Sequence, residues 1–334
     1  MNLDDLTFVL GEPRSGTTWV GKIIDSHPDV IYRHEPDLTR HEPVLPFVIA
    51  DKDTARFIGP TRKHFTDLLT KPTLKSVGQQ PLFPKSYYAP GIRALRTGLT
   101  AALMGLRSAA NWRGLNDLYI PDLLWTSGQP HLRFVLKSIA AAGRVAVLRQ
   151  AFPDAKIILL LRHPCGHVRS VMEGRRRAMF EPDDIVKSIA TMPNAQRYGV
   201  TAGSLRSASD LELVTWRWAL RTERMLNVLT RSDNCYVVHY EAICENPLVE
   251  TRALFEFIGL NLHPQTERFI RDSTEYRGSE RYYRVFRDTT ATANKWRSEL
   301  TDDEITSILR IVAQTSIAPI WPETRQMASE MVSQ

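Results

Sequence analysis

The stretch Leu6-Thr7-Phe8-Val9-Leu10-Gly11-Glu12-Pro13-Arg14-Ser15-Gly16-Thr17-Thr18 decides the reading of this chain. Leu6 to Gly11 is a short apolar run closed by glycine, the pattern of a buried strand. Gly11 to Gly16 gives a P-loop frame, G-x-x-x-x-G, with Thr17 where that frame has lysine. The pattern predicts a helix from Thr17 to Ser26, closed by His27-Pro28. Strand, loop and helix in this order make an anion cradle. Gly16 lets the backbone approach an anion, and the N–H groups of Ser15 to Thr18 open a helix whose positive end favours one. Arg14 adds a cation from inside the loop. The lysine that bridges β- and γ-phosphates is missing and no second motif for magnesium stands out, so the cradle predicts an oxyanion site rather than ATP hydrolysis. A nucleotide kinase or NTPase with a degenerate P-loop is the alternative. Trp19 is open to two readings: core, or an indole beside a nucleobase.

Outward from this stretch, short apolar strands alternate with helices. Strands are predicted at Val30 to Arg33, Leu132 to Lys137, Lys156 to Arg162 and Cys235 to Tyr240. Helices are predicted at Ile92 to Ser108, Gly143 to Ala151, Gly166 to Arg176, Leu211 to Leu229, Leu248 to Ile258 and from Thr301 onward. This alternation predicts an α/β fold, a central parallel sheet flanked by helices. Ligands of such sheets sit outside the carboxyl ends of the strands, so functional residues should follow Leu10, Ile31, Val135, Leu161 and His239. The 334 residues fit a single domain over 1–334, with a basic, mostly helical insertion or cap at about 55–130.

Composition excludes other classes. With 43% hydrophobic and 24% charged residues the chain is of ordinary soluble type, with no apolar run near the length of a membrane span. Asn2, Asp4 and Asp5 run straight into Leu6, so no signal peptide is expected. Cys165, Cys235 and Cys244 are too widely spaced for a disulfide framework or a zinc site, and a cytoplasmic location is expected. The net charge of +6 is unevenly spread: ten lysines and arginines lie between Arg56 and Arg113 against the single acid Asp67. That distribution suggests an anionic partner. No recognition motif accompanies it, so nucleic acid is not expected. Gly91 to Ala110 mixes apolar residues with Arg93, Arg96 and Arg107, which suits either a cap packed on the domain or peripheral contact with a membrane surface.

A second anion signal lies at the end of Lys156 to Arg162. Arg162 points toward the crevice, and Ser170, eight residues on, can reach the same anion. Two anion sites facing one crevice call for a nucleoside with two separated phosphate groups.

Glu12 to Trp19, followed by Asp25-Ser26-His27-Pro28, resembles the 5′-phosphosulfate loop of sulfotransferases, and Arg162 to Ser170 resembles their 3′-phosphate motif. The resemblance implies a P-loop-NTPase-like sulfotransferase fold, 3′-phosphoadenosine 5′-phosphosulfate (PAPS) as sulfuryl donor, the desulfated nucleotide PAP as product, and no metal. It assigns nucleotide contacts to Arg14, Ser15, Gly16, Thr17, Thr18, Trp19, Arg162 and Ser170. Tyr240-Glu241 with Glu245-Asn246-Pro247 resembles a further family stretch, with Ala242 where the family has aspartate, and makes Tyr240 a candidate near the nucleotide. Thr274 and Tyr276 resemble adenine contacts, and Arg287 stands in for a missing 3′-phosphate grip. Lys295-Trp296 resembles a late tryptophan motif. The cytosolic branch places its catalytic histidine after a lysine-threonine pair, but here Lys137-Ser138 is followed by Ile139, which cannot take a proton. The base is expected at Glu35 in His34-Glu35-Pro36, which resembles the E-P motif of carbohydrate-type and bacterial enzymes; His34 is the runner-up. Arg14 and Lys137 are expected to stabilise developing charge. The acceptor is expected to be a hydroxyl of a saccharide, a glycolipid or another small molecule.

Overall fold

The computed structural model describes residues 5–40, 42–109, 113–122, 132–177, 184–274 and 289–333. Five strands form one sheet: β1 (Leu6–Gly11), β2 (Val30–His34), β3 (Arg133–Ser138), β4 (Lys156–Leu161) and β5 (Cys235–His239). Their order is β2-β3-β1-β4-β5 and every pairing is parallel. All five predicted strands are present within a residue or two of their expected limits. β1 is central because it is apolar throughout and buried at every residue, as a strand covered on both faces must be. Its side chains alternate. Leu6, Phe8 and Leu10 enter one core, and Val9 enters the other.

The helices used below are α1 (Thr17–Asp25), α2 (Thr54–Thr70), α3 (Leu74–Val77), α4 (Pro90–Ala109), α5 (Val145–Ala151), α6 (Pro164–Arg176), α7 (Ile185–Ala190) and α8 (Asp210–Leu229). α2 packs on α5, and its Phe65, Leu68 and Leu69 belong to the core that holds Phe8. Sequence reading places only one helix in this proline-rich region, at Ile92 to Ser108. The structure has α2 as well, with Pro60 inside it, since burial of the three apolar side chains outweighs the local cost of Gly59-Pro60. The predicted helix at Gly143 begins instead with a 3-10 turn over Ala141–Arg144, and α6 starts two residues early with Pro164 at its first turn. Pro264–Thr274 and Pro322–Val332 are further helices that the sequence reading left unassigned.

From β1 the chain crosses to β2 at the far edge, returns through β3 beside β1, then moves to β4 and β5 on the other side. The strand order therefore reverses at β1, and the crevice outside its carboxyl end is the topological switch point.

Candidate functional site

The loop after β1 has the geometry of a backbone cradle. Arg14 (φ 73°) and Gly16 (φ 92°) both lie in the left-handed region. Gly16 caps α1, and the Ser15 hydroxyl donates back to the Glu12 carbonyl, closing the turn. A Cβ on Gly16 would stand 2.3 Å from the Tyr240 ring, so this glycine is demanded both by its φ and by its neighbour. Tyr240 follows β5 and forms the back of the cradle. Glu241, next in the chain, accepts from the backbone N–H of His163 at 3.0 Å and so ties the end of β5 to the start of α6.

Arg162 and Ser170 reach this loop from β4 and α6. The Arg162 guanidinium donates to the Arg14 carbonyl at 2.8 Å, lies over the Tyr240 ring at 4.7 Å from its centroid, and keeps a buried Nε with no hydrogen-bond partner among the described residues. Arg14 Nε donates to the Ser170 hydroxyl at 3.2 Å. Trp296 stacks flat on the His163 ring, 4.5 Å between centroids, behind this strand end. The two sequence motifs for anions are thus one constellation. An orphaned buried arginine nitrogen and a glycine-shaped backbone cradle fit a ligand with more than one anionic group.

Glu35 sits one residue past β2 in a left-handed turn, φ 47°. Its backbone N–H donates to the Lys137 carbonyl at 2.9 Å, extending the ladder to β3. Its carboxylate is paired with the Lys137 ammonium, which also reaches the Thr18 hydroxyl at 3.5 Å. Arg33, two residues before Glu35, turns away from it to Asp122 and the Leu69 carbonyl. Burial opposes the Glu35 charge, but Lys137 and Lys75 outweigh it and hold the carboxyl at about 2. His34 lies 3.8 Å from Glu35, and its Nδ1 shares a 3.1 Å hydrogen bond with the Tyr32 hydroxyl. Burial, with Lys137 adding to it, drives the imidazole well below its usual range and keeps it neutral.

Two further expected residues lie where α1 meets helix Pro264–Thr274. Trp19 is core, 5% exposed, with its indole N–H donating to Ser273 at 3.0 Å. Thr274 bonds the Ile270 carbonyl of its own helix at 2.9 Å. Tyr276 and Arg287 lie outside the described residues. Sequence reading missed Arg217, Arg221 and Asp37. Arg221 of α8 pairs with Glu12 of the loop at 2.8 Å and donates to the Ile139 carbonyl at 3.0 Å, joining three elements at one point. The signal was the spacing of Arg217 and Arg221, one helical turn apart on the face toward the sheet. Asp37 accepts from Ser138 at 2.6 Å and is raised above the usual carboxylate range by burial. A cavity of about 1100 Å³ opens between α6, α7 and α8. Pro13 of the loop, Leu38, Phe47, Ile139 and Met192 give it apolar walls, and Arg175, Arg217 and Arg221 add cations. Among the described residues no cluster of three or more His, Cys, Asp or Glu side chains is placed to hold a metal ion.

A family model described as "Sulfotransferase family" matches residues 7–264, from the first strand to the start of helix Pro264–Thr274. The chain belongs to that family, and it is a PAPS-dependent sulfotransferase. Carbohydrate sulfotransferase 1 of Rattus norvegicus is 24% identical over 88% of this chain and 74% of its own length. Carbohydrate sulfotransferase 6 of Homo sapiens is 23% identical over 95% of this chain and 82% of its own. Among solved structures, the sulfotransferase domain from the curacin biosynthetic pathway aligns with a TM-score of 0.47 at 15% identity, covering 98% of this chain and 96% of that one. A mouse sulfotransferase solved in complex with PAP gives a TM-score of 0.47 at 12% identity, over 98% and 89%.

Proposed function

We propose that this enzyme sulfates a hydroxyl of a saccharide, a glycolipid or another small molecule held in the cavity between α6, α7 and α8, with Glu35 as general base. The observation that carries the reading is the cluster of Glu35, Lys137 and Thr18, in which a carboxylate and an ammonium from neighbouring strand ends meet the phosphate loop. PAPS supplies the sulfuryl group. Gly16, Thr17 and Thr18 offer backbone N–H groups, and Arg14, Arg162 and Ser170 offer charged and hydroxyl donors to its anionic groups. Glu35 is ionised at neutral pH and can take the acceptor proton on its carboxylate. While Lys137 is paired with it, the carboxylate is a feeble base. Negative charge on the loop draws Lys137 toward Thr18, which weakens the pair and raises the proton affinity of Glu35. Lys137 then serves the loop side, stabilising charge that develops there.

Two observations support the acceptor class. The cavity begins at Pro13 and Ile139, next to the loop, and has room for a sugar or a comparable ring. Two of the relatives, those of Rattus norvegicus and Homo sapiens described above, are named for carbohydrate sulfation. Three free cysteines support a reducing, cytoplasmic setting. The test combines calorimetry with PAP and ATP in the absence of magnesium and transfer from PAPS to a panel of saccharide and lipid hydroxyls. The expected result is a preference for PAP over ATP, with turnover on at least one acceptor. Glu35→Gln should then keep PAP binding and lose about 10²-fold or more in turnover. Near-normal turnover in that variant overturns Glu35 as base.

A further inference from the structure

Three polar side chains line up at the end of β2: the Tyr32 hydroxyl, the His34 imidazole and the Glu35 carboxylate. Tyr32 and His34 are both buried. The Tyr32 hydroxyl is 3.1 Å from His34 Nδ1, and His34 Nε2 stands 3.8 Å from Glu35 Oε2. The other carboxylate oxygen, Oε1, faces Lys137. Alternation along the strand puts Tyr32 and His34 on one face. α1, the helix that opens with the phosphate loop, packs on β2, and its Gly21 comes so close to the Tyr32 hydroxyl that a Cβ there would collide with it. The hydroxyl is therefore fixed in place.

This geometry decides which ring nitrogen of His34 carries the proton. A neutral imidazole has one donor and one acceptor nitrogen. Among the described residues, Nδ1 of His34 is the one hydrogen-bond partner of the Tyr32 hydroxyl. A buried O–H left without an acceptor is costly, so the hydroxyl donates and Nδ1 accepts. Nε2 then carries the hydrogen and faces Oε2, an oxygen that can only accept. The opposite tautomer would strand the phenol proton and set a lone pair against the carboxylate.

We infer that His34 is a positioning residue of the transfer reaction: Tyr32 fixes it as the Nε2–H tautomer, and it holds Oε2 of Glu35 so that Oε1 is the oxygen that takes the acceptor proton. This assignment rests on Glu35 as the base. A separation of 3.8 Å is longer than a hydrogen bond, and the pair with Lys137 accounts for it by drawing the carboxylate toward β3. Once Lys137 turns to the loop, the carboxylate closes on Nε2–H, as catalytic hydrogen bonds tighten when ligands are bound. A neutral donor suits the task. It orients the carboxylate without the full positive charge by which Lys137 weakens it as a base, and burial keeps the imidazole neutral. In the step itself the acceptor oxygen bonds to sulfur, the bond from sulfur to the phosphate oxygen breaks to leave PAP, and the acceptor proton passes to Oε1. His34 neither gains nor loses a proton, which separates this role from that of a base.

Two measurements on the full chain test this. The first is a long-range proton–nitrogen spectrum of the PAP-bound enzyme labelled with 15N at histidine, with the His34 signal identified by its loss in His34→Gln. The ring should be neutral and protonated at Nε2, and Tyr32→Phe should shift it toward the Nδ1-protonated form. The second is kcat and KM for transfer from PAPS to the panel acceptor with the highest wild-type turnover. Tyr32→Phe should lose about tenfold in kcat, with KM for PAPS and PAP affinity within about threefold of wild type and the thermal midpoint lower by no more than about 4 °C. His34→Gln, whose amide nitrogen reaches the place of Nε2, should keep more turnover than His34→Asn, whose amide reaches only that of Nδ1. In a Glu35→Gln background, Tyr32→Phe should change kcat by less than about twofold, because its effect runs through Glu35. Three results overturn the assignment: a wild-type His34 that is protonated at Nδ1, a wild-type kcat in Tyr32→Phe, or a loss in Tyr32→Phe that persists undiminished in the Glu35→Gln background. Glu35 as base fails on a different result, near-normal turnover in Glu35→Gln alone, so the two failures are told apart.

Discussion

The pair of Glu35 and Lys137 makes the stability of this protein depend on pH, and Glu35→Gln isolates that dependence. The ordinary glutamate value is 4.5, and in the folded protein it is about 2. Glu35 is 9% exposed, so solvent screens the pair little. At about 1.4 kcal/mol per pH unit, a fall of this size makes the folded state ~3 kcal/mol more stable with Glu35 ionised. The folded value lies below the unfolded one. The contribution is therefore present in full above the unfolded value and drains as pH falls from about 4.5 toward about 2. By about pH 3.5 some ~1.4 kcal/mol of it is gone. Urea unfolding of wild type and Glu35→Gln, side by side near neutral pH and near pH 3.5, reads this as a difference. Glutamine keeps the shape of the side chain without its titrating carboxyl, while other carboxylates act on both proteins alike. The wild type should be the more stable protein at neutral pH, and its lead should narrow by ~1.4 kcal/mol in acid. A lead that stays constant across that range refutes the reasoning. The carboxylate would then not be held ionised by its neighbours, and the masked base of the proposed mechanism would go with it.

Two further outcomes test the nucleotide side of the site. Arg162→Ala should weaken PAP binding by about 10- to 100-fold in calorimetry, the value of one or two charge-assisted hydrogen bonds, and unchanged affinity would remove Arg162 from the site. Gly16→Ala should cost on the order of 1–3 kcal/mol of stability in urea unfolding and reduce PAP binding, because it places a Cβ at positive φ and inside the Tyr240 ring. Wild-type stability in that variant would show that the loop does not need its glycine.

Several features of the site were legible because they are local. The alternation of short apolar strands with helices requires a parallel sheet, and the five strands lie where those runs lie. Gly16 is readable because a tight turn from strand to helix needs a residue free to take positive φ. Arg162 and Ser170 are readable because the end of a strand and the first turns of the next helix share one crevice. Helix α2 was not readable, since Gly59-Pro60 is a local break that only burial of Phe65, Leu68 and Leu69 overrides.

By itself, then, the sequence determined the strand-loop-helix cradle, the sheet, the second anion motif and Glu35 as a carboxylate at a strand end. Each is a matter of neighbours along the chain. The tertiary structure alone decided what those groups touch. It set Tyr240 against Gly16 and Arg162, and brought Lys137 to Glu35 across 102 positions of sequence. It joined Arg221 to Glu12, and the indole N–H of Trp19 to Ser273. It also turned α4 inside out. Helical periodicity shows that a helix has two faces, but which face meets solvent depends on what the rest of the chain offers to pack against. Here Tyr88, Pro121 and Asp122 take up Arg96 and leave Leu95 and Leu99 outside.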